Sequence, residues 1–122
     1  LTNFDMDSRL VVAVVLAGQP PLRTLLGRPD QVAMAQRLSH YATLRLLSRD
    51  ETRAYVEHRC AVAGATADPF DDDAYEALFD ISHGNLRALD RLALKALERA
   101  ARTGATAVST GDVLEARKGL AP

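Results

Sequence analysis

The stretch RLVVAVVLAGQPPLR, from Arg9 to Arg23, decides how the rest of the chain is read. An unbroken apolar run from Leu10 to Ala17, half of it valine, ends at once in Gly-Gln-Pro-Pro. Such a run predicts a strand buried on both faces, as inside a parallel sheet, because an edge or half-solvated strand would alternate with polar residues. A strand of that kind needs a neighbour on each side.

Working outward, Pro20 and Pro21 block a sheet ladder but suit a first helical turn, so PLRTLLG predicts a short helix closed by Gly27. A second helix is expected from Asp30, an N-cap candidate, through QVAMAQRLS, with Val32, Ala35 and Leu38 on one stripe. YATLRLL then alternates Tyr41, Thr43, Arg45 and Leu47 against Ala42, Leu44 and Leu46, which predicts a second strand with one wetter face.

Beyond residue 47 the pattern turns helical. Ser48 and Glu51 form a capping box, and the helix they start carries Thr52, Tyr55, Val56, Cys60 and Ala63 inward until Gly64. PFDDDAYEALFDIS opens another, with acids in its first turn and Ala74, Leu78 and Ile81 on its buried stripe. Asn85 caps LRALDRLALKALERAART, which Gly104 ends, and Ser109 or Thr110 opens a final helix through GDVLEARKG. Two strands and two helices therefore precede a run of four helices, with the boundary near residue 47.

Composition narrows the class. The 122 residues are 48% hydrophobic, enough for one packed core. The net charge of −1 excludes a strong global attraction to nucleic acid or anionic lipid. Residues 1–60 carry eight basic and six acidic side chains and residues 61–122 carry seven and ten, an asymmetry too small to indicate a partner. One cysteine, Cys60, rules out an internal disulfide, and no apolar stretch is long enough for a membrane span, so the cytoplasm is the expected location. Leu1 is not methionine, and LTNFDMDS reads as a helix end running into the strand, so a fragment of a longer protein is expected.

Ordinary catalytic constellations are poorly served. His40, His58 and His83 lack metal-ligand spacing, and His58 and Cys60, at i and i+2, do not face each other on a helix. Asp71, Asp72 and Asp73 lack the glycine and the bidentate glutamate of a calcium loop and read as a charged helix start.

Three features rank higher. Gln19 follows the buried strand, where open parallel sheets bind ligands, although a turn residue before Pro-Pro explains it equally well. Arg87, in GNLRALDRL, falls in the first turn of a helix whose dipole disfavours a cation; its plain reading is a solvated arginine paired with an acid such as Asp90. Arg87, Arg91, Lys95 and Arg99 recur every fourth residue, extended by Arg102, a stripe that could follow a phosphate backbone but reads more simply as a solvated face.

Taken in order, LTNFDMDS, VVLAGQPPLR, AQRLSHYATLRLLSRDETRAYVEHR and GNLRALDRLALKAL resemble the second half of an AAA+ ATPase, in the branch of ExeA-type secretion ATPases and transposition helper ATPases. The resemblance implies an α/β remnant of a P-loop AAA+ sheet over residues 1–47, followed by an all-α four-helix lid over 48–122, mostly helical overall. It makes Gln19 the sensor-1 residue, Arg37 of AQR the arginine finger offered to a neighbouring subunit, and Arg87 of GNLR the sensor-2 residue on the nucleotide. Without the resemblance, Arg37 reads as a helix-surface arginine.

The chemistry suits these residue types. Phosphoryl transfer is accelerated by positioning and by neutralising the transferring oxygens, and a guanidinium stays charged while binding two of them. ATP and Mg2+ are the implied cofactors of the intact protein. No G-x-x-x-x-G-K-[ST] loop occurs and no predicted strand ends in the paired Asp-Glu of a Walker B element, so both are expected upstream of Leu1, and this chain alone is expected neither to bind nucleotide tightly nor to hydrolyse it.

In that family the P-loop strand lies between the two strands predicted here. Without it, these strands must pair with each other, bind another chain or expose apolar edges. The implied partners are further copies of the chain, the missing N-terminal half, and DNA with a transposase; the alternatives are a secretion apparatus, or a noncatalytic helical module binding DNA or protein.

Overall fold

The computed structural model describes residues 12–120. Six α-helices are found among them, and no strand. The helix end read in LTNFDMDS, and the first residues of the apolar run, lie outside the described residues. Two compact units divide the chain between Thr43 and Leu44.

The first unit contains α1 (Pro21–Leu26) and α2 (Val32–Arg37), which pack on each other. The carbonyl of Gln19 accepts from the Leu22 amide at 2.9 Å, so the turn at Pro20 leads directly into α1, with Pro21 where a missing N–H costs nothing. Asp30 does not cap α2: it lies in a 3-10 turn over Pro29–Gln31, and α2 starts from Gln31 with no side-chain cap bond. Neither helix has a buried residue. Arg23 donates to the Thr43 hydroxyl at 3.1 Å and lies 5.9 Å from the Tyr41 ring centre, while Tyr41 donates to the Ala35 carbonyl at 3.3 Å. These bonds fold the segment after α2 back along its own unit.

Both predicted strands are corrected by the structure. Val12 to Ala17 and Tyr41 to Leu47 carry no ladder, and their apolar side chains are largely exposed, Val15 at 87% and Leu44 at 99%. The reason is the non-local nature of a strand: its backbone groups are satisfied only by a neighbour, and none of the described residues supplies one. Apolar alternation shows what a segment could bury, not whether the partner is present. Of the outcomes open to the two segments, exposure is the one found for their described residues.

The second unit is the four-helix assembly: α3 (Arg49–Val62), α4 (Asp72–Ser82), α5 (Leu86–Thr103) and α6 (Thr110–Lys118). Helix α4 packs on each of the other three, and α5 buries Leu89, Leu92, Ala93, Ala96 and Ala100, the three-and-four spacing of one apolar face. Against that face lie Val56 of α3, Ala74 and Leu78 of α4, and Val113 of α6. Ala63, just past the end of α3, is exposed, whereas Ile81 of α4 is half-buried against the core and Ser82 beside it is buried. The loops are tied as well: Phe70 and Val108 form a parallel bridge, with Val108 donating to the Pro69 carbonyl at 2.7 Å and Asp71 donating to that of Val108 at 2.9 Å.

Helix ends follow local chemistry. Ser48 and Glu51 close the expected capping box on α3, and Ser109 and Asp112 close a second one on α6. Gly104 ends α5 in the left-handed region at φ 71°. Asp71 precedes α4 with Asp72 and Asp73 in its first turn, and Asp72 pairs with Arg53 at 2.8 Å. No helix among the described residues is long and apolar enough to cross a membrane.

Candidate functional site

Arg87 is placed by the turn that joins α4 to α5. Helix α4 ends on two successive left-handed residues, His83 at φ 52° and Gly84 at φ 78°. The Gly84 amide donates to the Ser82 hydroxyl at 3.3 Å, the Asn85 amide donates to the Ser82 carbonyl at 3.0 Å, and α5 begins on Asn85, whose side chain accepts from the Ala88 amide at 3.0 Å. Arg87 is thereby fixed in the first turn of α5, exposed.

A second chain segment crosses this turn. The Leu47 amide donates to the Gly84 carbonyl at 3.0 Å, and the backbones come so close that a Cβ on Gly84 would overlap the Leu47 carbonyl oxygen and lie 2.8 Å from its nitrogen. Glycine is required there twice over, by φ and by space. The approach is held on the other side by Arg45, which donates to both Glu51 carboxylate oxygens, at 2.7 and 2.6 Å, while the same carboxylate accepts from the Ser48 amide at 2.8 Å. The Arg45 bond and the Ser48 amide hold Glu51 down to about 2. The lead-in to α3 is thus fastened to the turn that launches α5.

The expected pairing of Arg87 with Asp90 does not occur. Asp90 instead accepts a hydrogen bond from the Tyr55 hydroxyl of α3 at 3.0 Å. Neither Arg87 nor Arg91 has an ion pair or hydrogen bond with a described residue. In the same unit Arg45, Arg49, Arg53, Lys95, Arg99 and Lys118 all pair with carboxylates. Arg59 lies over the Tyr55 ring, and Arg102 donates to the Glu98 carbonyl. The basic stripe of α5 is therefore not a continuous cationic face: Lys95 is joined to Glu98 and Arg99 to Asp112, leaving Arg87 and Arg91 as its open end.

Gln19 and Arg37 belong to the first unit and Arg87 to the second. Gln19 is exposed immediately before α1, and Arg37 is the exposed last residue of α2. The open groove of about 520 Å³ between α4 and α6 is lined by Asp73, Glu76 and Asp80 and includes none of the three. Arg117 is the one cation in that lining, against three carboxylates, a balance that disfavours a phosphate.

The bonds that shape the arginine turn join residues far apart in the chain, Tyr55 with Asp90 and Leu47 with Gly84. The first had no sequence signal. The second had one: a glycine before a helix N-cap marks a place where backbone can come close.

Compared with known proteins, the chain is 34% identical over 113 residues to General secretion pathway protein A of Aeromonas hydrophila. The match takes in 93% of this chain and 21% of that protein, so the chain spans about a fifth of its relative's length. No family model matches, and no solved structure does.

Proposed function

We propose that this chain is the C-terminal part of an ExeA-type AAA+ ATPase of a secretion pathway. The similarity over 93% of the chain to a secretion-pathway protein carries this reading. The leading expectation from sequence, a transposition helper acting with DNA and a transposase, finds no support in that relative, and the secretion alternative takes its place. A continuous DNA-binding stripe is also poorly supported, because half of the stripe is spent on its own carboxylates.

In this reading the four-helix unit is the lid, and Arg87 is the residue it brings to nucleotide. An arginine in a first helical turn with no internal carboxylate suits an external phosphate, because a guanidinium binds two oxygens at once and keeps its charge. Gln19 serves as sensor 1 and Arg37 as the finger offered to a neighbouring copy. ATP with Mg2+ supplies the phosphoryl group and its bound cation; the P-loop and the Walker B acids come from outside this sequence. What these residues contribute is orientation and neutralisation of charge, the main sources of rate in phosphoryl transfer. The proposed setting is a cytoplasmic oligomer working with a secretion apparatus.

The finger assignment is tested by mixing. In a polypeptide that joins this segment to the P-loop and Walker B elements, Arg37→Ala lowers hydrolysis by roughly 10³-fold. Adding subunits with an intact Arg37 but a defective P-loop restores activity in trans. No loss in the Arg37 variant, or no recovery on mixing, removes Arg37 from the role.

A further inference from the structure

Asp90 is the carboxylate best placed by sequence to neutralise Arg87, three residues on in the same helix, where side chains are neighbours. It is engaged elsewhere. The Tyr55 hydroxyl donates to Asp90 Oδ1 at 3.0 Å, drawing the carboxylate to the side of α5 that faces α3. Tyr55 is itself half-buried, with the Arg59 guanidinium 5.9 Å from its ring centre. Around this bond the other cations of the unit are largely committed to internal partners, and on α5 Arg87 and Arg91, one helical turn apart, have no ion pair or hydrogen bond among the described residues.

We propose that Tyr55 is a positioning residue for Arg87: by holding the Asp90 carboxylate toward α3, it keeps Arg87 and Arg91 free to bind adjacent phosphate groups of a polyphosphate ligand. This rests on the reading of Arg87 as a phosphate-binding residue and adds two parts to it. Arg91 becomes a second contact, since residues four apart on a helix present two guanidinium groups to one ligand carrying several oxyanions. Tyr55 becomes the reason the contact is available, acting through Asp90 without touching the ligand.

The test uses this chain and inorganic tripolyphosphate at low salt, with binding followed by calorimetry and by the arginine side-chain NMR signals. Arg87→Ala and Arg91→Ala each weaken binding by roughly tenfold, the size of one lost charge-assisted contact. Tyr55→Phe keeps the ring and releases Asp90, and weakens binding by roughly two- to threefold, as an exposed helix ion pair forms in competition. Adding Asp90→Asn to Tyr55→Phe removes the competitor and raises affinity by more than Asp90→Asn does in the parent chain, a non-additivity that a role for Tyr55 in packing alone would not give. If Tyr55→Phe binds as the unsubstituted chain does, or if Asp90→Asn raises affinity no more in that variant than in the parent chain, the positioning role is wrong while Arg87 stands. If Arg91→Ala leaves affinity unchanged, Arg91 is not a contact. If Arg87→Ala changes nothing, or the unsubstituted chain binds no tripolyphosphate, the phosphate reading of Arg87 falls with it.

Discussion

The backbone amide of Leu47 donates to the carbonyl of Gly84 across 3.0 Å, and this bond joins the segment entering α3 to the turn from which α5 departs. Arg87 lies three residues past that bond, so the position of a candidate phosphate contact depends on backbone packing between segments distant in the chain. Replacing Gly84 by alanine forces a side chain into the left-handed region at φ 78° and into the Leu47 carbonyl. The expected loss is about 2–4 kcal/mol, seen as a lowered midpoint in thermal or urea unfolding. An unchanged midpoint would mean that the crossing does not form.

Glu51 gives the second unit an acid-sensitive fastening. Its carboxyl is held at about 2 by Arg45 and the Ser48 amide, below its ordinary value of 4.5. A carboxylate depressed in the folded state contributes stability above its unfolded value and loses it as pH falls through the folded one. The start of α3 is therefore expected to loosen between about pH 4.5 and about pH 2, followed by NMR of the Glu51 carboxyl and of the Ser48 amide. In Glu51→Gln the Ser48 amide no longer shifts across that range; a Glu51 midpoint near 4.5 would show that the Arg45 bond is absent in solution.

Burial separates two leucines of the same unit. Leu89 is wholly buried on α5, whereas Leu44 is 99% exposed. Leu89→Ala is expected to cost about 3 kcal/mol through lost contacts and the cavity left behind, and Leu44→Ala to stay within about 0.5 kcal/mol of the parent. Equal effects in urea unfolding would contradict the core as described.

Thr52 is completely buried on α3, and its hydroxyl has no hydrogen-bond partner among the described residues. An unsatisfied buried hydroxyl costs about 1–3 kcal/mol, while valine has the same shape without that cost. Thr52→Val is expected to raise the unfolding midpoint. A fall would reveal a bound water or other partner for the hydroxyl.

What could be read from the sequence was what local chemistry controls. Ser48 and Glu51, Asn85, Gly104 and Ser109 mark helix ends through contacts within a few residues of each other, and the structure ends its helices there. Val12 to Ala17 and Tyr41 to Leu47 misled for the opposite reason: a strand is specified by its neighbour as much as by itself. The candidate site divides along the same line. Arg87 could be picked out by its position behind a cap, but its freedom from Asp90 depends on Tyr55, 35 positions before Asp90.

The proposed service of Arg87 in phosphoryl transfer is measured by steady-state ATP hydrolysis with saturating ATP and Mg2+, in a polypeptide joining this segment to the P-loop and Walker B elements. Removing one preorganised contact to the transferring group costs about a hundredfold in kcat. Arg87→Ala is expected to lose activity by that order, with the helical unit still folded by circular dichroism. A variant that is folded and hydrolyses ATP at the parent rate would contradict the proposal.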